Sequence, residues 1–154
     1  MRFQLELEIN APRERVVKLF LDPDKLQQWQ PDLVRFEQIG SGAPREVGAK
    51  SKQVHRMGKR EFETIETITV HSPPGEFAAT YEAEGVCNLI SNRLTETAEG
   101  TTRWVLDAHF KFSSLMMKLM ALLLPGMFKK QTLTFMQRFK EFAEKSVREG
   151  TSTP

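Results

Sequence analysis

The chain has 154 residues, 40% of them apolar and 27% charged, which suits one globular domain with its own hydrophobic core and excludes a disordered or fibrous protein. Twenty-two Lys plus Arg face 20 Asp plus Glu, a net charge of +2 with the signs interspersed and no basic groove interleaved with aromatics, so nucleic acid is not an expected partner. A single cysteine, Cys87, excludes an intramolecular disulfide and a cysteine-based metal site, and the amino terminus alternates charges where a signal peptide needs an apolar run, which reads as a cytoplasmic protein.

Residues 2–9 alternate strictly, with Phe3, Leu5, Leu7 and Ile9 on one face and Arg2, Gln4, Glu6 and Glu8 on the other, the pattern of a half-buried antiparallel strand. Asn10-Ala11-Pro12 then starts a helix whose stripe is Val16, Val17, Leu19 and Phe20, because proline in the first turn loses no hydrogen bond. Asp22-Pro23 repeats the signal for a short second helix carrying Leu26 and Trp29, which Pro31 closes. From Leu33 to Phe112 the period is two, interrupted by turn-rich segments at 40–44, 57–59, 72–75, 84–85 and 98–100, so six strands are expected. Their connections are too short for parallel crossovers, which predicts an antiparallel meander.

The most lipophilic stretch, 115–124, is about half the roughly 20 residues needed to span a bilayer, and Pro125-Gly126 interrupts it. Beyond it Phe128, Phe135, Met136, Phe139, Phe142 and Ala143 recur at helical spacing opposite charged residues. The order strand, two helices, six strands, long helix (β-α-α-β6-α) predicts one α+β domain over residues 1–149, with 150–154 as a frayed tail. A curved seven-stranded sheet closed by one helix leaves a gap between the two.

Ile9-Asn10-Ala11-Pro12, followed by Val16, Phe20, Asp22-Pro23 and Trp29, resembles the opening of the SRPBCC superfamily, the START-like or polyketide cyclase/dehydrase-type proteins. The resemblance continues through Val47-Gly48-Ala49, Pro73-Pro74 and the amphipathic final helix, and the 124–131 segment resembles that of bacterial members. It implies a helix-grip fold, in which the sheet wraps around the C-terminal helix and encloses an internal hydrophobic cavity. Such cavities serve lipid or hormone binding, polyketide cyclisation and aromatisation, or co-chaperone contacts, and the fold does not choose among them.

On the third strand Ser51, Gln53, His55 and Met57 form an uncharged face opposite Lys50, Lys52, Val54 and Arg56, and this face is the expected cavity lining. His55 could hydrogen-bond a ligand or act as acid or base near a pKa of about 6.5, or it could be a rim histidine bonded to a neighbouring strand. The fourth strand places Phe62, Thr64, Glu66, Ile68 and Val70 together, which puts the Glu66 carboxylate in apolar company, as a site residue or as half of an internal ion pair. The opposite register exposes Glu66 and buries Ile65.

The fifth strand contributes Phe77, Ala79, Tyr81 and Ala83, and the seventh Trp104, Leu106, Ala108, Phe110 and Phe112, core first and cavity wall second. On the sixth, Asn88 and Asn92 accompany Val86, Ile90 and Leu94, and these amides could orient a polar ligand head or satisfy a bulge or each other. His71 and His109 fall on loop-edge and outward registers. No His/Asp/Glu spacing suggests a metal and no glycine pattern suggests a phosphate cradle, so no cofactor is expected.

The 115–124 segment is apolar almost all round and must bury more than one face, against a ligand tail, a second subunit or a membrane surface, or simply within the first two helices and neighbouring loops. The leading expectation is binding or transport of an apolar small molecule, a lipid, isoprenoid or polyketide-like compound, in a cavity between sheet and C-terminal helix. Its contacts are expected from Gln53, His55, Met57, Thr64, Glu66, Tyr81, Asn88, Asn92, Trp104, Leu106, Met116, Met120, Leu123, Phe128 and Phe135. The alternatives are a cyclase/dehydratase-like enzyme using His55 or Glu66 as acid or base, and an interaction module that meets a protein or a membrane surface through 115–128. Both a monomer and a homodimer are compatible with the sequence.

Overall fold

Strict alternation gives strand β1 (Arg2–Ile9), which buries Leu5 and Ile9 and turns Arg2, Gln4, Glu6 and Glu8 to solvent. In the computed structural model, which describes residues 1–151, β1 leads into helix α1 (Arg13–Leu21), a 3-10 turn at Pro23–Lys25 and the single-turn helix α2 (Leu26–Trp29). The Asp22 side chain accepts from the Asp24 backbone N–H at 3.0 Å, the capping role its position before Pro23 predicts. The six further strands are β2 (Leu33–Ile39), β3 (Lys50–Met57), β4 (Arg60–Ser72), β5 (Glu76–Ala83), β6 (Val86–Ala98) and β7 (Thr101–Phe112). All pair antiparallel in the order β1-β7-β6-β5-β4-β3-β2, so β1 closes the sheet by pairing with the last strand.

Register shifts in β2–β3, β4–β5 and β6–β7 mark the irregularities that bend the sheet into a trough. Helices α3 (Leu115–Leu123) and α4 (Pro125–Thr151) follow, separated at Leu124 by the expected break. Met136, Phe139 and Ala143 of α4 are fully buried, a spacing that keeps one stripe on the core. Phe139 meets the rings of Trp29, Phe20 and Trp104 at centroid distances of 4.9, 5.3 and 5.5 Å, so α4, α1, α2 and β7 share one aromatic cluster. The end of α4 is tied back through Glu144, which accepts from the Asn10 backbone N–H at 2.9 Å.

Three details differ from the sequence reading. The bulge at Thr69 reverses the faces of β4, so His71 pairs with Phe77 and its ring lies 5.5 Å from that phenylalanine, while Val70 goes to the opposite face. Helix α3 is not enclosed by the first two helices: none of its nine residues is buried, and it packs mainly against α4 and β7. Gly150 and Thr151 continue α4, and 152–154 lie outside the described residues.

The start of α3 is pinned at the β5–β6 turn, where the Gly85 carbonyl accepts from the backbone N–H of Ser113 at 3.0 Å. Gly85 has φ +78°, and a Cβ there would stand 2.7 Å from Ser114 Cβ, so both the turn and the contact require glycine.

The aromatic cluster sets the stability of the whole arrangement. Phe139→Ala is expected to lower unfolding free energy by about 3–5 kcal/mol in urea titrations, against about 0.5 kcal/mol or less for Leu122→Ser on the exposed side of α3.

Candidate functional site

Five cross-strand neighbours make a row across the concave face: Ser51 opposite Glu66, Glu66 opposite Tyr81, Tyr81 opposite Asn88, and Asn88 opposite Phe110. Four of them are polar, within a face otherwise built from Ile68, Ala79, Leu106 and Ala108. The register that buries Glu66 is the one adopted, and the carboxylate is only 6% exposed.

Burying a carboxylate is costly unless donors surround it. Ser51 Oγ donates to Glu66 Oε1 at 3.1 Å, Gln53 Nε2 donates to Oε2 at 3.2 Å, and the Arg45 guanidinium stands 4.0 Å from Oε1. Tyr81 adds its phenol: burial, the Glu66 charge and a hydrogen bond to Glu66 together push its pKa well above 10, with Arg45 opposing weakly. Glu66 is thus the acceptor at the centre of a network whose members come from β3, β4, β5 and the 40–49 loop. Arg45 was not among the expected site residues, since nothing in its turn-rich surroundings distinguishes it. Its φ of 71° is the only positive value of a non-glycine residue among those described, a backbone strain that accompanies the inward placement of the guanidinium.

His55 lies one step toward the sheet rim. Its Nε2 is 3.3 Å from Gln53 Oε1 and its ring stacks on Phe62 with centroids 5.4 Å apart. Burial lowers its pKa, with the Asp32 charge pulling the other way, so the imidazole is neutral at neutral pH. Thr64, also buried, is the cross-strand neighbour of Gln53. Met57 reaches the same face at the exposed end of β3.

The two asparagines part company. Asn92 is committed to the core: its Oδ1 accepts from Trp104 Nε1 at 2.9 Å and its Nδ2 donates to the Phe77 carbonyl at 3.4 Å. Trp104 and Leu106 are fully buried beside it, and Phe135 packs on Trp29 and Trp104 with centroids 4.9 and 6.4 Å away. Asn88 Oδ1, by contrast, is buried and has no hydrogen-bond partner among the described residues. Its neighbour Phe110 belongs to an aromatic wall with Phe112, Phe3 and Phe128 at centroid distances of 6.0, 5.8 and 5.2 Å. Met120 is half-buried near this wall's covering segment, while Met116 and Leu123 are exposed.

Two concavities lie beside the 40–49 loop. One, of about 70 Å³, runs between Pro23, Phe36 and Arg45 down to Ser51 and Glu66. The other, of about 320 Å³, is bounded by the loop itself from Gln38 to Lys50. The first has room for about two waters, against the roughly 300–1,000 Å³ typical of a small-molecule pocket.

Tyr81 is the chain's only tyrosine, so phenolate absorbance reports on it alone. No phenolate is expected until well above pH 10, and Glu66→Gln should bring the transition down by removing both the charge and the charged acceptor. Because the folded pKa is raised, this stabilising contribution is intact below about pH 10 and is lost as pH rises through that region toward the folded value.

Residues 1–144 match the model of a family described as "Polyketide cyclase / dehydrase and lipid transport". A comparison with curated protein sequences found no match. Among solved structures, the Zhui aromatase/cyclase from Streptomyces sp. R1128 is 12% identical at a TM-score of 0.79, covering 96% of this chain and 95% of its own. A conserved protein from Geobacillus kaustophilus is 18% identical at a TM-score of 0.77, covering 95% and 97%. A START superfamily protein from Mycobacterium smegmatis is 10% identical at a TM-score of 0.74, covering 94% and 97%. At these identities the structures share the helix-grip fold with this chain.

Proposed function

The chain belongs to the polyketide cyclase/dehydrase and lipid transport family, and from that premise we propose that it binds an apolar small molecule bearing a hydroxyl group, between the sheet and the α3–α4 segment. The observation that carries this reading is the unpartnered Oδ1 of Asn88. A buried acceptor without a donor costs about 1–3 kcal/mol, and a ligand hydroxyl recovers that loss. Tyr81 flanks the acceptor on one side and Phe110 on the other, so the hydroxyl end meets the polar row while the apolar body lies along Phe110, Phe112 and Phe128. His55, Gln53, Thr64 and Glu66 complete the polar end of the site, with Arg45 added to the set read from sequence.

Occupation requires the cover to move, since neither of the two concavities beside the 40–49 loop reaches Asn88 or Phe110. Helix α3 is the element with least to lose, because none of its residues is buried. Met120, Phe128 and the α3–α4 join then form the gate.

Binding is favoured over acid–base chemistry at Glu66. The Glu66 carboxylate is held by Ser51, Gln53 and the nearby Arg45 guanidinium, which suits it to anchor the polar end of a ligand.

Paired probes test this. Tryptophan fluorescence titrations should show tighter binding of 2-naphthol than of naphthalene, and Asn88→Leu should cut that preference about fivefold to tenfold, the worth of one hydrogen bond, while leaving naphthalene unchanged. Equal affinities in wild type, or a preference that survives Asn88→Leu, would sink the assignment of the acceptor. Failure of both probes to bind would sink the site.

A further inference from the structure

We propose that the outer face of α3 docks on the surface of an anionic lipid bilayer. This inference is independent of the ligand reading, since it rests on the outside of the helix. With about 100° between successive residues, Leu122, Leu115, Leu119, Leu123 and Met116 occupy one continuous arc of roughly 120°. Each is more than half exposed, from 54% for Leu119 to 82% for Leu115. Met117, Met120 and Ala121, on the remaining arc, are the partly covered ones. Leu124 and Met127 extend the exposed surface across the α3–α4 join. Isolated exposed leucines are ordinary, but a contiguous run of this kind marks a surface that meets something apolar.

The charges around it choose the partner. Between Asp107 and Glu141 the chain contains no acid, and it carries Lys111, Lys118, Lys129 and Lys130; Arg138 and Lys140, further along α4, are paired with Asp32 and Glu144. Lys118 lies at the margin of the apolar arc and is exposed, as are Lys129 and Lys130 in the first turns of α4. The first turn of α4 contains no acid to neutralise them. An anion outside the protein gives them a favourable partner. Glu84, exposed in the turn that abuts Ser114, is the acid nearest to α3 along that turn.

An apolar arc inserted at the headgroup boundary and lysines level with lipid phosphates is the arrangement of an interfacial helix. Among the described residues no helix is long and apolar enough to cross a membrane, so contact through α3 is peripheral.

Vesicle flotation tests the inference with full-length protein. Wild type should float with phosphatidylcholine–phosphatidylglycerol vesicles, float much less with phosphatidylcholine alone, and be released by salt. Lys129→Gln with Lys130→Gln should weaken binding to anionic vesicles about fivefold per lysine. Leu115→Ser with Leu122→Ser should weaken it roughly tenfold or more, with thermal unfolding unchanged because both side chains are exposed. Wild type that stays in the aqueous fraction, or floats equally on both vesicles or in both variants, overturns the proposal. A concentration-dependent dimer that the leucine variant abolishes, without vesicle binding, would assign the face to a second copy of the chain.

Discussion

The constraint on which the structure depends is the aromatic contact of Phe139 with Phe20, Trp29 and Trp104. It brings the C-terminal helix, the two small helices and β7 to one point, and it fixes where α4 crosses the sheet. Because α4 packs on β1, α1 and α2, its weight falls on one side of the trough. Space between helix and sheet is already filled there by rings. The concave surface of β3 to β6 lies beyond that clamp, and it is there that polar side chains occupy inward positions.

Those side chains form a network with an uneven accounting. Glu66 has donors from three directions and a guanidinium beside it, so its burial is compensated by the protein itself. Asn92 is compensated by the Trp104 indole and the Phe77 carbonyl. Asn88, beyond Tyr81 in the row that contains Glu66, is not. A buried network with every member satisfied rigidifies a core; one with a single missing donor selects for a molecule that supplies it.

Much of the architecture is legible in the sequence because the physics is local and periodic. Alternation in residues 2–9, the Asp22-Pro23 cap, the short turns between strands and the spacing of Phe135, Met136, Phe139 and Ala143 each specify an element without reference to the rest. The inward faces of β3, β5, β6 and β7 follow from the same period. It failed where one residue was added: the bulge at Thr69 exchanged Val70 and His71, and no composition signal announces it. The placement of Arg45 was equally hidden, since it depends on a loop conformation with a positive φ. The division between Asn88 and Asn92 depends on which neighbours reach each amide, which strand pairing decides and sequence spacing does not. The exposed arc of α3 was one of several alternatives, because its apolarity implies a partner without saying whether that partner belongs to the chain.

The most direct test of the central claim is native mass spectrometry of freshly purified protein, read beside an organic extract of the same sample. A co-purifying apolar compound with a free hydroxyl, displaced when Asn88 is replaced by Leu, is the predicted result. A chain that carries nothing, and that takes up nothing when exposed to hydroxylated lipids or phenols, would contradict the account.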